Sequence, residues 1–161
     1  VFVSELDDLD IRLLGCLQRN GRATLAELGA LVGLKRPAVH ERIKRLEQRG
    51  YIFGYGAMLD LPKLGLGLIA LVSVYTRADI DYDRFYTDVS ALAEVTVIHS
   101  VAGEESFVVE VVTRSTGHLD ELLARLKTIA GISRTKTTVV LSTPFERRAV
   151  ALERLVERRP R

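Results

Sequence analysis

The run Thr24–Leu46, TLAELGALVGLKRPAVHERIKRL, constrains this chain more than any other stretch. Thr24-Leu25-Ala26-Glu27 is a capping box, in which a hydroxyl and a carboxylate three residues apart satisfy each other's free helix-start amides. Leu28, Leu31 and Val32 then provide an apolar face. Gly33-Leu34 breaks the pattern, and a second helical period starts at about Arg36, with Val39, Ile43 and Leu46 spaced i, i+4, i+7. Pro37 is tolerated because first-turn amides have no helical partner, and Gly50 supplies a stop. A capped helix, a short glycine turn and a second, cationic helix predict a helix-turn-helix, whose second helix enters the DNA major groove.

Charge distribution supports that expectation better than net charge, which is only +2 over 161 residues. Residues 35–49 carry six basic side chains against two acidic ones, whereas residues 61–143 carry eight against ten. From Pro144 onward the count is six against three. A basic helix, a mildly acidic middle and a basic tail suit a nucleic-acid reader joined to a second module. The lone cysteine, Cys16, cannot form an internal disulfide and falls in an apolar helical period, which suits a core position in a reducing compartment. No charged-then-apolar leader opens the chain, and the longest apolar stretch, Leu64–Tyr75, is short of the roughly 20 residues a membrane helix needs. A cytoplasmic protein without membrane partners is expected.

A helix ahead of the pair starts at Asp7, whose carboxylate can cap it. Leu9, Leu13 and Leu17 recur every four residues with Leu14 beside them, and Asn20-Gly21 ends the helix. After Gly50 the period changes. Tyr51–Tyr55 reads as an extended wing, and Gly56–Leu64 as a linker. From Gly65 the patterns alternate: strand (Leu66–Thr76), helix (Tyr82–Ala93), strand (Val95–Val101), strand (Ser106–Thr113), helix (His118–Ala130), strand (Arg134–Ser142). The β-branched runs favour strands, and the order βαββαβ is the ferredoxin-like arrangement. Two helices would cover one sheet face and leave the other for a second subunit. The expected fold is therefore α+β: an N-terminal winged helix-turn-helix over 1–55, a linker over 56–64, a C-terminal ferredoxin-like sandwich over 65–144, and a basic tail over 145–161 with amphipathic helical spacing.

With Val39, Ile43 and Leu46 inward, a 100° step per residue turns Pro37, Glu41, Lys44 and Arg45 outward, with Ala38 and His40 on the flanks. The first half of a reading helix approaches base edges and later cations meet phosphates. Arg36, Ala38, His40 and Glu41 are thus assigned to base edges, and Lys35, Lys44 and Arg45 to the backbone. Arg42 sits at the core shoulder, where an ion pair with Asp10 or Glu27 competes with DNA contact. In the second module, the turn Ala102-Gly103-Glu104-Glu105-Ser106 and the strand start at Arg134, Thr135 and Thr137 form a candidate ligand site. Glycine would admit backbone amides to a ligand, and the two threonines would offer hydroxyls on one side. The competing interpretation makes Gly103 a hairpin turn and the threonines ordinary strand formers.

Three stretches together resemble the leucine-responsive regulatory protein/AsnC (Lrp/AsnC, feast-famine) family of transcription regulators. Leu6-Asp7-Asp8-Leu9-Asp10 through Leu13-Leu14, Leu17-Gln18 and Asn20-Gly21-Arg22 is similar to its opening helix. Gly33-Leu34, Val39, Arg42-Ile43, Arg45-Leu46-Glu47 and Gly50-Tyr51-Ile52 are similar to its reading helix and wing. Val101-Ala102-Gly103, Gly131-Ile132 and Thr135-Lys136-Thr137 are similar to its effector domain. The resemblance implies a sequence-specific regulator that binds double-stranded DNA, forms homodimers assembling into tetramers or octamers, and takes an amino-acid effector between dimers. No cofactor and no metal are expected.

Two positions depart from the family pattern. Lys35 stands where a capping Ser is common, and Ser106 where the Gly-x-x-Asp turn has its carboxylate; Glu104 or Glu105 could supply a charge to an α-ammonium group instead. Two other functions fit parts of the chain. Enzymes that modify haem precursors resemble the same two-domain architecture, with His99 and His118 as candidates, although neither sits in a ligand-spaced pair. An architectural DNA-binding protein without effector is the other.

Overall fold

The computed structural model describes residues 6–146 and 149–152. They divide into two compact units, Val1–Met58 with Phe145–Arg161, and Leu59–Pro144.

The first unit holds α1 (Asp8–Arg19), α2 (Leu25–Val32) and α3 (Arg36–Gln48). Asp7 caps α1, accepting from the Asp10 amide at 2.8 Å while Asp10 accepts from the Asp7 amide at 3.3 Å. This capping box uses an aspartate where glutamate is usual, and the sequence reading credited only its Asp7 half. The box at Thr24–Glu27 forms as expected, with Thr24 Oγ1 accepting from the Glu27 amide at 3.2 Å. Leu13, Leu28, Val32 and Val39 make the buried centre, and Leu9, Cys16, Leu17 and Ile43 pack around it. Cys16 is a free, half-buried core residue. Leu31 departs from expectation: it lies on the flank of α2 and stays exposed, because the inward line of that helix runs through Leu28 and Val32.

Gly50 closes α3 with φ 74°. Its amide donates to Glu47 O at 2.9 Å and the Tyr51 amide donates to Leu46 O at 2.9 Å, a Schellman ending. The expected wing strand at 51–55 does not form. The segment is extended but carries no strand pairing, and Tyr55 instead donates its hydroxyl to Glu47 Oε1 at 2.9 Å. Burial and then the Glu47 carboxylate push the Tyr55 phenol up to about 12. Of the tail, residues 149–152 return to this unit: the Val150 amide donates to Gln18 Oε1 at 2.9 Å. The amphipathic helix expected over 145–161, with its Arg158-Arg159-Pro160-Arg161 end, falls mainly outside the described residues.

The second unit opens with a short 3-10 turn (Pro62–Leu64) and then runs β1 (Leu68–Thr76), α4 (Tyr82–Ser90), β2 (Val95–Ser100), β3 (Phe107–Thr113), α5 (Thr116–Lys127) and β4 (Ile132–Val139). The sheet order is β2-β3-β1-β4 with every pair antiparallel, which is the ferredoxin-like topology expected from the element order. Ala70, Val72, Val74, Phe107, Val109 and Val111 point to one face and meet Phe85 and Val89 of α4 and Leu119, Leu122 and Leu126 of α5. Phe85 stacks on Phe107 with ring centroids 4.4 Å apart. The alternate positions, including Leu71, Tyr75, Val97, His99, Glu110, Arg134 and Lys136, line the opposite face, which neither helix covers.

One polar cluster ties edge strand β2 to α5. Glu94 Oε1, just before β2, accepts from His118 Nε2 at 2.8 Å and from the Arg125 guanidinium. On its other side the His118 ring faces the chain at Arg114, whose amide lies 3.4 Å from Nδ1. Burial works against the Glu94 charge, but its own backbone amide, His118 and Arg125 outweigh burial and hold the carboxyl below its usual value of 4.5. A depressed folded value means stability that is present above the unfolded value and lost as pH falls through the folded one. Thermal melts taken downward from neutral pH should therefore show a loss beginning near that usual value. Glu94→Gln should flatten this part of the profile while costing about 1–3 kcal/mol at neutral pH; an unchanged acid limb would show that Glu94 is not the titrating group.

Candidate nucleic-acid interface

The surface of α3 is set by what braces it from behind. Val39 and Leu46 are buried, and Ile43 packs against the same core. The turn from α2 is closed by Gly33 at φ 73°, and the Leu34 amide donates to Gly29 O at 3.0 Å. Gly29 lies so close beneath this turn that a Cβ there would stand 2.5 Å from the Leu34 carbonyl oxygen. The close approach sets how near α2 can come to the start of α3. Nothing in the hydrophobic period singled Gly29 out; a glycine inside a helix was the available signal.

Lys35, Arg36, Ala38, His40, Glu41, Lys44 and Arg45 are all exposed. The helical period had placed five of them outward or on a flank, leaving Lys35 and Arg36 at the N-terminal mouth, and the structure leaves all seven exposed to solvent. Lys35 occupies the N-cap of α3 with extended backbone, and its side chain makes no capping hydrogen bond. The orphan amides at this end remain available to an anion, and the helix dipole adds partial positive charge there.

Arg42 resolves in favour of the ion pair. Its Nη1 donates to Asp7 Oδ2 at 2.6 Å and to Asp10 Oδ1 at 2.7 Å. Glu27 is not its partner; that carboxylate is engaged by Thr24, whose amide and hydroxyl hold it below its usual range. Burial opposes the Arg42 charge, but Asp10 and Asp7 overcome it and raise the guanidinium further. At Asp7 burial is likewise outweighed, by the Asp10 amide and by Arg42, so its carboxyl is lowered. Arg45 shares the same anion: its Nη2 lies 3.3 and 3.2 Å from the two oxygens of Asp10. Asp10 itself is only 1% exposed. The sequence reading gave Arg45 to phosphate alone and missed this second partner, because the α1 carboxylate comes near it only once the three helices pack.

In the second unit the candidate ligand residues gather at one end of the sheet but not on one face. The turn 102–106 enters β3 beside the end of β1, where the Ser106 amide donates to Val74 O at 2.9 Å and the Ser106 and Thr76 hydroxyls lie 2.7 Å apart. Thr135 and Thr137 pair with Val74 and Val72, so they share the helix-covered face. Arg134 pairs with Tyr75 on the other face, where its guanidinium stands 3.9 Å over the Tyr75 ring. Ala102, Gly103 and Glu104 are exposed, and Glu105 and Ser106 half-buried. A Cβ on Gly103 would meet only the Glu105 carboxylate, at 3.8 Å, so the chain's own packing does not demand glycine there.

Comparison with known proteins now decides the class. Residues 6–47 match the AsnC-type helix-turn-helix domain and residues 69–150 the Lrp/AsnC ligand binding domain. The chain belongs to the Lrp/AsnC family of transcriptional regulators. The HTH-type transcriptional regulator LrpA of Mycobacterium tuberculosis is 38% identical over 143 residues, 89% of this chain and 95% of the relative. A transcriptional regulator of Neisseria meningitidis solved with L-methionine superposes with a TM-score of 0.87 at 28% identity, over 93% of this chain and 99% of that one. AsnC of Escherichia coli gives 0.81 at 29% identity, over 88% and 96%.

This Lrp/AsnC chain is accordingly a sequence-specific DNA-binding regulator, with the oligomeric assembly typical of the family, and not an enzyme. The haem-precursor reading fails on the matches themselves, and the two histidines are apart in role: His99 lies exposed on the open sheet face while His118 is bound to Glu94. Among the described residues no helix is long and apolar enough to cross a membrane, and no group of three metal-ligating side chains occurs.

The uncapped start of α3 yields a two-sided prediction. Lys35→Ser should supply the missing cap and raise thermal stability by about 0.5–1 kcal/mol. It should also remove one cation from the helix mouth, reducing the slope of log affinity against log salt by about 0.9 if Lys35 meets a phosphate. Melting and salt-dependent anisotropy on the same preparation check both; a stability gain with an unchanged slope would release Lys35 from the interface.

Proposed function

We propose that α3 lies in the major groove with Arg36, Ala38, His40 and Glu41 at base edges, and with Lys35, Lys44 and Arg45 on the phosphate backbone. One observation carries this reading: all seven side chains are exposed, while the other side of the helix is buried at Val39 and Leu46. The short, polar Ala38–His40–Glu41 stretch presents a methyl, a donor and an acceptor, the three chemistries that base edges discriminate. Two copies would read a pseudo-palindrome with half-sites one helical turn or a multiple apart. The face of the sheet bearing Leu71 and Val97, which neither helix covers, supports pairing of two copies through it. We assign tetramers or octamers to further association of such dimers.

Genome-wide footprinting gives the operator, and variants then separate the two kinds of contact. Lys44→Ala should weaken operator and random duplex alike and reduce the salt slope by about 0.9. His40→Ala should instead cost about 1–3 kcal/mol on the operator alone. Equal losses on both duplexes for His40→Ala would remove it from base readout.

The effector is proposed to be an amino acid held at the end of the sheet by Ala102–Ser106, with Arg134 contributing from the uncovered face and Thr135 and Thr137 from the helix-covered one. Two relatives support an α-amino acid: the N. meningitidis regulator and the M. tuberculosis feast or famine regulatory protein were both solved with L-methionine, the latter 38% identical. In this reading Glu104 or Glu105 takes the place of the family's aspartate as the anion for an α-ammonium group, and the Thr76–Ser106 hydroxyl pair supplies neutral partners. Calorimetric titration with L-methionine should show saturable binding that Glu105→Gln weakens about tenfold, the equivalent of one charge-assisted hydrogen bond. Absence of heat with methionine and with a panel of the other amino acids would overturn the effector assignment and leave the DNA reading untouched.

A further inference from the structure

The acidic partner of the reading helix does more than hold α3 in place. Residues 35–49 carry a formal +4, yet Asp7 and Asp10 of the opening helix set two carboxylates directly against Arg42 and Arg45. The two arginines are not held equally. Arg42 is 22% exposed and donates at 2.6 and 2.7 Å to two carboxylates. Arg45 is 45% exposed and among the described residues reaches Asp10 alone, at 3.2 and 3.3 Å. If Arg45 leaves, Asp10 keeps Arg42 and the amide of Asp7, so no buried charge is orphaned. Arg45 is the exchangeable member of the cluster, and it is the member that the helix turns toward solvent.

We propose that Asp10 is a specificity-determining residue that acts as an internal counter-ion for Arg45. In the free protein, and on duplex that α3 meets only across hydrating water, the Asp10 carboxylate neutralises Arg45 and the cation adds nothing to affinity. On a sequence that lets α3 seat fully in the groove, a phosphate oxygen comes within charge-assisted hydrogen-bonding distance and draws Arg45 from Asp10. One cation is thereby withheld from non-specific binding, which is almost wholly electrostatic, and released for specific binding. The inference rests on the α3 face being the DNA-reading surface. Asp10 touches no nucleic acid in this scheme and is a positioning residue.

The test compares the full-length chain with Asp10→Asn, Arg45→Gln and the double variant. Each is titrated by anisotropy against a duplex enriched from a random library and against a random duplex of equal length, over a range of salt. Asp10→Asn should steepen the random-duplex salt slope by about 0.9 and lower the ratio of selected to random affinity roughly three- to tenfold, the worth of one phosphate contact near 0.1 M salt. Adding Arg45→Gln should return that slope to the wild-type value. A merely structural role predicts something different: both affinities fall in proportion to the folded fraction, read by circular dichroism, and neither slope moves. That result would overturn the proposal.

Should Asp10→Asn not fold, Arg45→Gln alone decides, since it leaves the Arg42–Asp10–Asp7 contacts in place. It should reduce the selected-duplex slope by about 0.9 and leave the random-duplex slope unchanged. An equal reduction on both duplexes means Arg45 was never masked. Wild-type chain that binds neither duplex would instead defeat the underlying assignment of α3.

Discussion

A carboxylate with 1% of its surface in water keeps its charge only if the protein supplies cations and donors, and Asp10 finds two guanidiniums on α3 and an amide at the start of its own helix. Burying this group unpaired would cost several kcal/mol. The geometry that avoids the cost also sets the depth and rotation of α3 on α1. A helix with Val39 and Leu46 buried and Ile43 half-buried beside them has a narrow apolar contact, and such a contact resists rotation poorly. The ion cluster supplies the directional element: moving α3 by one residue would separate Arg42 from both of its carboxylates. The exposed arrangement of the α3 side chains proposed to meet DNA follows from that constraint.

The second unit is built on a different principle. Its core is a sheet of β-branched residues facing two helices, and its order comes from antiparallel register rather than from charge. Register dictates face, because side chains alternate along a strand. It sends Thr135 and Thr137 to the helix side and Arg134 to the uncovered side, so residues adjacent in sequence cannot serve one concave pocket unaided. An amino-acid site at this end of the sheet would draw on the turn 102–106 and on groups at the rim, with charge from Glu104 or Glu105. The uncovered face combines Leu71 and Val97 with Glu110 and Lys136, the mixture of apolar and charged groups that suits a subunit interface.

Two departures from the family pattern have consequences of opposite kind. Lys35 exchanges a helix cap for a cation, weakening the helix start while adding charge where the dipole already favours anions. Ser106 exchanges a carboxylate for a hydroxyl that pairs with Thr76, which makes the turn neutral at the position where charge would steer an ammonium group. Under the proposed assignments the first change would bear on DNA and the second on the effector.

Hydrophobic period and caps determined much of this protein without reference to three dimensions. The stripes of α1 and α3, the Thr24–Glu27 box, the element order βαββαβ and the outward set Lys35 to Arg45 are all local consequences of 3.6- and 2-residue repeats, and a repeat is written in neighbouring residues. Other features required the folded chain. The exposure of Leu31, the unpaired state of segment 51–55, the close approach at Gly29 and the partition of Arg134 from Thr135 depend on what packs opposite, which no window of sequence contains. Arg42 marks the boundary between the two kinds of knowledge. Its helical angle placed it on the shoulder of α3 and offered Asp10 or Glu27 as partners, but only the packing of α1 against α3 brought Asp10 within 2.7 Å, while Glu27 was already held by Thr24 at the start of its own helix. Charge pairing across 32 residues of chain is a property of distance in space, and distance is what tertiary structure decides.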